Sequence, residues 1–252
     1  MSSHHTQKDL YSQYILPFYK LPGETLAVML ERFRMEKGIS PEEKITYAGR
    51  LDPMAEGVVP VLIGDARFQK DQLLGLSKTY ELTVLLGAST DSADMLGIVK
   101  EIKNAVFDEE SIMKVLDSLL DITELTYPMY SSRPVEGKPL FMHARAGNTV
   151  DVPVKKVSIK NIEMKSIEQT TLGVCLMNTI PVIEKVAGDF RQSEIIAKWQ
   201  QQSMDTSVVL VTFSAAVSSG TYMRSLAEKL GESLGVPALA YRITRTRVGE
   251  YK

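Results

Sequence analysis

Three side chains in this sequence have the chemistry of a reaction centre. The first is an acid joined to a proline, Asp52-Pro53, within Gly49-Arg50-Leu51-Asp52-Pro53-Met54-Ala55-Glu56-Gly57. A residue before proline is pushed away from helix towards extended or turn geometry. Gly49 and Gly57 free the chain to turn on either side. The carboxylate of Asp52 therefore sits on a stiff loop, with Arg50 close in sequence and the apolar run Val58 to Gly64 behind it. A fixed, partly desolvated carboxylate with cationic company suits a nucleophile or a general base. Asp-Pro pairs also simply begin turns, and the loop residues alone leave both readings open. The second side chain is Arg224 in Gly220-Thr221-Tyr222-Met223-Arg224, ahead of the stripe Leu226, Leu230 and Leu234. That stripe places Arg224 in the first turn of a helix, where the helix dipole mildly disfavours a cation. An anionic partner is one explanation, and a solvated outer-face arginine is the other. The third is Tyr80, in a run with the alternation of a strand, where a tyrosine is usually a half-buried packed ring.

The elements that must position these groups can be read in order. Tyr14 to Lys20 is a short extended segment, and Leu26, Met29, Leu30 and Phe33 recur at helical spacing until Gly38 stops the pattern. Ala66 to Leu76 reads as a short helix and Lys78 to Leu86 as a strand. The polar turn Gly87 to Asp94 holds two acids, Asp91 and Asp94, read as loop-fixing hydrogen-bond acceptors. Asp108 to Leu120 is amphipathic through Ile112, Val115, Leu116 and Leu119. Val152 to Ile167 and Leu172 to Val186 look strand-like, with a turn at Gln169 to Thr171. Gly188 to Gln202 is a helix carrying the single tryptophan, Trp199, and has no assigned chemistry. Val208 to Ala216 is a further strand, and the last runs through Ile243 to Gly249. Arg242, Arg245 and Arg247 lie on that strand, where alternate residues share a face. They are candidates for phosphate contacts, or an ordinary charged edge. His143 has no evident partner and reads as structural, while His4 and His5 belong to a polar start expected to be disordered over residues 1–13. Strands clustered in the middle and end among helices indicate α+β.

At 252 residues the chain can bury a substantial core, and 44% hydrophobic with 24% charged residues is ordinary for a globular protein. A formal net charge of −2 excludes a generic polyanion binder, so any nucleic-acid partner requires positive charge gathered on one face. The single cysteine, Cys175, excludes a disulfide framework and a cysteine-rich zinc site and fits a reducing compartment. No apolar stretch is long enough to span a bilayer and no signal core opens the chain, so a soluble, cytoplasmic protein is expected.

The stretch Thr46-Tyr47-Ala48 through Asp65-Ala66-Arg67-Phe68 resembles the signature of the TruB family of tRNA pseudouridine-55 synthases, with its Gly-x-Leu-Asp-Pro-x-Ala-x-Gly run. Lys78-Thr79-Tyr80 is similar to the family's Lys-x-Tyr strand, and Thr90-Asp91-Ser92-Ala93-Asp94 to its Thr-Asp-Ser-x-Asp turn. Tyr127 to Ser132 and Gly137 to Gly147 resemble its Pro-x-x-Ser-Ala and Gly-Lys-x-x-Tyr-x-x-Ala-Arg segments, with Phe141 in the usual tyrosine place. Gly220 to Arg224 matches its Gly-Thr-Tyr-x-Arg. Two distant motifs thus supply the two halves of one expected ion pair. The resemblance runs from Lys20 to nearly the end. It implies one catalytic domain, 14–252, built on a large, mainly antiparallel mixed sheet with flanking helices and a central RNA-binding cleft. The sequence stops at Lys252, where many relatives continue into a PUA domain, and none is expected here.

The chemistry so implied is isomerisation of the T-loop uridine of tRNA to pseudouridine, with the base flipped out of its stack. Asp52, paired with Arg224, would act at the sugar–base junction, either attacking the base or removing a sugar proton to give a glycal. Tyr80 would stack on the base and share in the final deprotonation. Lys20 would support the active-site loop, Tyr47 would stack where relatives carry histidine, and Ile243 would pack under the base in a position usually held by leucine. Gly49, Arg50, Tyr222 and Arg245 complete the expected substrate contacts. The reaction requires neither cofactor nor metal. The tRNA T-arm is the expected partner, without guide RNA or membrane, acting on a monomer. Two other readings stand beside this one: an RNA-folding chaperone whose catalysis is dispensable, and an α/β domain with accidental motifs.

Overall fold

The computed structural model describes residues 14–252, so the segment 1–13, expected to be disordered, lies outside the described residues. Alternation builds the central strands. In β4 (Lys78–Leu86) Tyr80, Leu82, Val84 and Leu86 are buried, while Thr79, Glu81 and Thr83 point to the other side. Six more strands join it: β1 (Ile15–Lys20), β2 (Ile45–Tyr47), β3 (Glu56–Ile63), β5 (Ile159–Thr171), β6 (Ser207–Val217) and β7 (Ala238–Val248). The order is β1-β3-β7-β4-β6-β5, with β2 paired to β3. Every pairing is antiparallel except that of β7 with β3. This is the mainly antiparallel mixed sheet of the expected α+β architecture.

Helices α1 (Leu26–Lys37), α2 (Glu109–Ser118) and α5 (Met223–Leu234) join one apolar cluster through Met29, Phe33, Ile112, Leu116, Leu226 and Leu230, packed with Tyr80, Leu82 and Val84. Thr25 caps α1 by accepting from the Val28 amide, and Gly38 ends it in the left-handed region at φ 62°, as its place in the sequence predicts. On the opposite side of β4, Leu85 packs with Leu172, Cys175, Leu176, Ile183, Ile195 and Trp199 of two further helices, α3 (Leu172–Lys185) and α4 (Gln192–Gln200). No helix among the described residues is long and apolar enough to cross a membrane.

Helix α3 corrects the strand expected over Leu172 to Val186. Its buried residues Leu172, Cys175, Leu176, Thr179 and Ile183 fall at helical spacing, which outweighs the Val and Ile content of the segment. The expected turn at Gln169 to Thr171 is instead the end of β5, with Gln169 opposite Val209 and Thr171 opposite Ser207. The β5–β6 connection is therefore a helical hairpin.

One pairing depends on a single glycine. Gly57, at φ 115°, lies beside Arg245 where parallel β3 and β7 meet. A Cβ there would stand 2.2 Å from the Arg245 carbonyl oxygen and 2.6 Å from its amide nitrogen. Both obstacles are backbone, so the strands must part to admit it. Gly57→Ala is expected to destabilise by at least about 3 kcal/mol in urea titration, combining backbone strain with overpacking. A variant as stable as the parent would refute the required close approach.

Candidate active site

Asp52 is placed by a loop that two buried cations hold from below. Lys20, at the end of β1, has no exposed surface and donates from Nζ to the carbonyls of Leu21 (3.1 Å), Pro53 (3.0 Å) and Ala55 (2.5 Å). Burial pulls its pKa down to about 8, against the opposing pull of Glu24, Asp52 and Glu56. Arg245 of β7, only 1% exposed, donates from Nε to Val58 (2.8 Å) and from its two terminal nitrogens to Arg50 (3.2 Å) and Gly49 (3.0 Å), all at backbone oxygens. The turn itself adds the Ala55 amide donating to the Asp52 carbonyl at 3.0 Å. Lys20 thus supports the loop, as the family resemblance implies, and with no exposed surface it presents nothing to the groove as the direct substrate contact also expected of it.

The expectation that Arg245 touches phosphate is likewise corrected: it is buried, and its three nitrogens donate to main-chain oxygens of the Asp52 loop and of β3. The face-sharing argument for Arg245 and Arg247 fails for a geometric reason. Arg245 pairs with Tyr80 and Arg247 with Thr79, so a bulge at Thr246 sends the two arginines to opposite faces of the sheet. Arg242 and Arg247 are exposed.

Arg224 enters from the first turn of α5 and is 2% exposed. Its Nε donates to Asp52 Oδ2 at 2.8 Å, one terminal nitrogen to the Ser92 carbonyl at 2.8 Å, and the other to the Tyr130 carbonyl at 3.1 Å. Three other segments of the chain thus converge on one guanidinium. A second carboxylate, Asp94 Oδ2, stands 3.8 Å from the same Nε. Asp94 accepts from the Ser92 hydroxyl (2.7 Å) and the Leu96 amide (3.0 Å), the loop-fixing role expected of it. Its closeness to Arg224 is the feature that sequence reasoning missed. The Thr-Asp-Ser-x-Asp spacing was legible, but not what the turn would face.

Burial raises the Asp94 pKa to about 6, with the Arg224 charge opposing and the Asp52 charge reinforcing the rise. A folded-state pKa above the unfolded value means that the folded protein binds the extra proton. The stability this contributes is complete below about pH 4 and is lost as pH rises through about 6. Asp94→Asn removes the step. The difference between wild-type and variant melting temperatures is expected to change between pH 4 and 6 and to be flat from 7 to 8, as followed by circular dichroism. A constant difference across the whole range would exclude Asp94 as the titrating group.

Asp52, Arg224, Tyr80 and Ile243 line one groove of about 810 Å³, together with Tyr47, Gly49, Arg50 and Tyr222. Tyr80 and Ile243 are mostly buried, Tyr47 is half-buried, and Arg50 is exposed at the rim. Tyr222 packs edge-on against Tyr127 at 5.3 Å, and burial, helped by the Asp52 charge, raises its pKa. The groove wall carries Arg50, Lys78, Arg145, Arg191, Arg224 and Arg245 against Asp52, Asp94 and Asp189, so positive charge is gathered here although the chain is net negative. The size suits a nucleoside-sized ligand. His143 is buried with Nε2 at 3.0 Å from the Val135 carbonyl, a structural position as expected. No cluster among the described residues is arranged to hold a metal ion.

Comparison with known proteins agrees with this geometry. The TruB family pseudouridylate synthase N-terminal domain matches residues 37–179. The tRNA pseudouridine synthases B of Staphylococcus aureus strains MRSA252 and Newman are each 34% identical over 240 residues, covering 94% of this chain and 67% of theirs. Among solved structures, the fold is shared with a chain of a Cbf5-Nop10-Gar1 complex (TM-score 0.57, 19% identity) and one of an H/ACA RNP bound to a substrate RNA containing 2'-deoxyuridine (TM-score 0.54, 19% identity). Each comparison covers 98% of this chain, which spans about half the length of those solved chains. A catalytic-type acid and a helix-borne arginine, joined at 2.8 Å across 172 residues of sequence, therefore sit in a chain whose homology spans nearly its whole length: it belongs to the TruB family of pseudouridine synthases.

Proposed function

We propose that this protein isomerises the T-loop uridine of tRNA to pseudouridine. The observation that carries the proposal is the 2.8 Å contact from Arg224 Nε to Asp52 Oδ2 inside a groove walled by Tyr80 and Ile243. The reaction breaks the bond from the sugar to the base nitrogen N1 and forms one to the base carbon C5; the C5 proton is lost to solvent and N1 gains one, so the net composition is unchanged. What the protein must supply is a flipped base, a fixed carboxylate and stacking surfaces.

The groove offers each of these. Asp52 stands on a loop clamped by Lys20 and Arg245 and is still about one-third exposed, which leaves it open to substrate. Tyr80 and Ile243 provide apolar surface for the uracil, and Tyr47 and Tyr222 add aromatic surface to the same groove. Arg50 at the rim is the candidate for a phosphate. The same reading places the protein in the cytoplasm, acting as a monomer on the T-arm of tRNA without a guide RNA. The name of the S. aureus relatives supports tRNA as substrate.

The test is incubation of unmodified tRNA with the protein, followed by chemical mapping of pseudouridine. One modified T-loop position is expected. Tight binding that leaves the tRNA unmodified would replace the isomerase with an RNA-folding chaperone.

A further inference from the structure

The helical hairpin between β5 and β6 carries no assigned chemistry, yet its tip forms part of the groove. Asp189, Phe190 and Arg191, between α3 and α4, line the same cavity as Asp52 and Arg224. The hairpin is anchored on both sides of the site. Trp199, fully buried, donates from Nε1 to the Met95 carbonyl, one residue beyond Asp94. The end of α3 abuts Gly23, whose missing Cβ would lie 3.1 Å from the Val182 carbonyl oxygen, and the Gly23 amide donates to the Pro53 carbonyl at 2.9 Å.

Arg191 makes the most pointed contacts. Its guanidinium pairs with Asp91 Oδ2 at 2.9 Å and lies 4.7 Å over the Tyr130 ring. The other Asp91 oxygen accepts from the Ile98 amide at 2.7 Å, so the acid is fixed within its turn. Asp91 immediately precedes Ser92, and the carbonyls of Ser92 and Tyr130 are the two that receive Arg224. Two segments some forty residues apart in sequence are thus joined twice, by Arg224 on the inside and by Arg191 on the outside. Arg191 also holds a left-handed backbone at φ 63°, a conformation that a non-glycine residue keeps only where its surroundings impose it.

We infer that Arg191 is a positioning residue for the reaction: by tying Asp91 to Tyr130 it fixes the two carbonyls that orient Arg224, and through Arg224 it orients Asp52. The inference rests on the pseudouridine synthase reading. It also gives the hairpin a function, as the wall that completes the site. A partly exposed ion pair with no such role contributes little, so the alternative makes a distinct forecast.

The experiment compares wild type, Arg191→Gln and Arg191→Lys in steady-state and single-turnover modification of unmodified tRNA, alongside the Arg224 Nε–H resonance in labelled protein without RNA. Arg191→Gln is expected to lower kcat by roughly tenfold or more with KM within about twofold, as small misplacement of a reacting group does. Arg191→Lys keeps a cation for Asp91 and is expected to recover most of the loss. The Arg224 resonance is expected to move in the glutamine variant. Unchanged kcat, or a loss carried entirely in KM, overturns the inference, the latter because Arg191 would then be a substrate contact. Should Arg191→Gln not melt cooperatively, Asp91→Asn breaks the same tie from the other side and carries the same expectations. A wild type that forms no pseudouridine sinks the proposed function, and the resonance still decides the tie: an unmoved Arg224 signal overturns it.

Discussion

Asp52→Asn is expected to abolish pseudouridine formation, by at least about 10⁴-fold in single-turnover rate, the scale on which loss of a reacting side chain is felt. The fold should hardly notice. Asparagine keeps an oxygen that can accept from Arg224 Nε, and Asp52 is the most exposed member of the cluster, its side chain 35% accessible. Arg224 also keeps Ser92, Tyr130 and the nearby Asp94. The stability change is therefore expected to stay within about 1 kcal/mol, a single neutral-for-charged hydrogen bond, and tRNA binding should persist. Release of tritium from C5-labelled uridine in tRNA, measured with urea unfolding on the same preparation, separates these effects. A variant that still turns over would remove Asp52 from the chemistry.

Arg224→Met is the harsher change, because it damages fold and reaction together. Arg224 is 2% exposed and serves two carboxylates and two carbonyls. Removing it strands Asp94, 5% exposed, whose raised pKa would lose its main opposing charge and rise further. Breaking a buried pair from one side costs roughly 3–5 kcal/mol, and activity should fall at least as far as in Asp52→Asn. The double variant Arg224→Met with Asp94→Asn removes the stranded acid as well. It is expected to recover stability by about 1–2 kcal/mol without recovering activity, a coupling that a double-mutant cycle reads directly. Additive stability losses in that cycle would show that the two side chains do not share a charge balance.

Both expectations depend on Asp52 being fixed before substrate arrives. Lys20 and Arg245 achieve this from β1 and β7, the strands on either side of β3, by donating only to main-chain oxygens of the loop and of residues beside it. Two buried cations satisfied by carbonyls rather than carboxylates keep the loop rigid without competing with Arg224 for the Asp52 side chain.

Much of the site could be read from the chain. The Asp-Pro loop between two glycines, the alternating strand around Tyr80 and the helix-opening Arg224 are local patterns, set by backbone sterics and by periods of two and 3.6 residues. Family likeness then joined the acid to the arginine. What local pattern could not decide was direction and company. Leu172 to Lys185 is rich in Val and Ile and still folds as a helix, because packing against Leu85 and Leu239 rewards its helical spacing. Arg245 and Arg247 differ by two residues yet point apart, because a bulge shifts the register against β4. Arg245 looks like an RNA-binding cation in sequence and proves to be an internal strut, beside Lys20, whose support of the loop the family likeness implied. Asp94 and Arg191 gain their significance only where the fold brings them, one 3.8 Å from Arg224 and the other across from Tyr130. A charge carries its sign in the sequence, but its partner and its exposure to water are properties of the packed chain, and these decide whether it holds the backbone, faces RNA or tunes an acid.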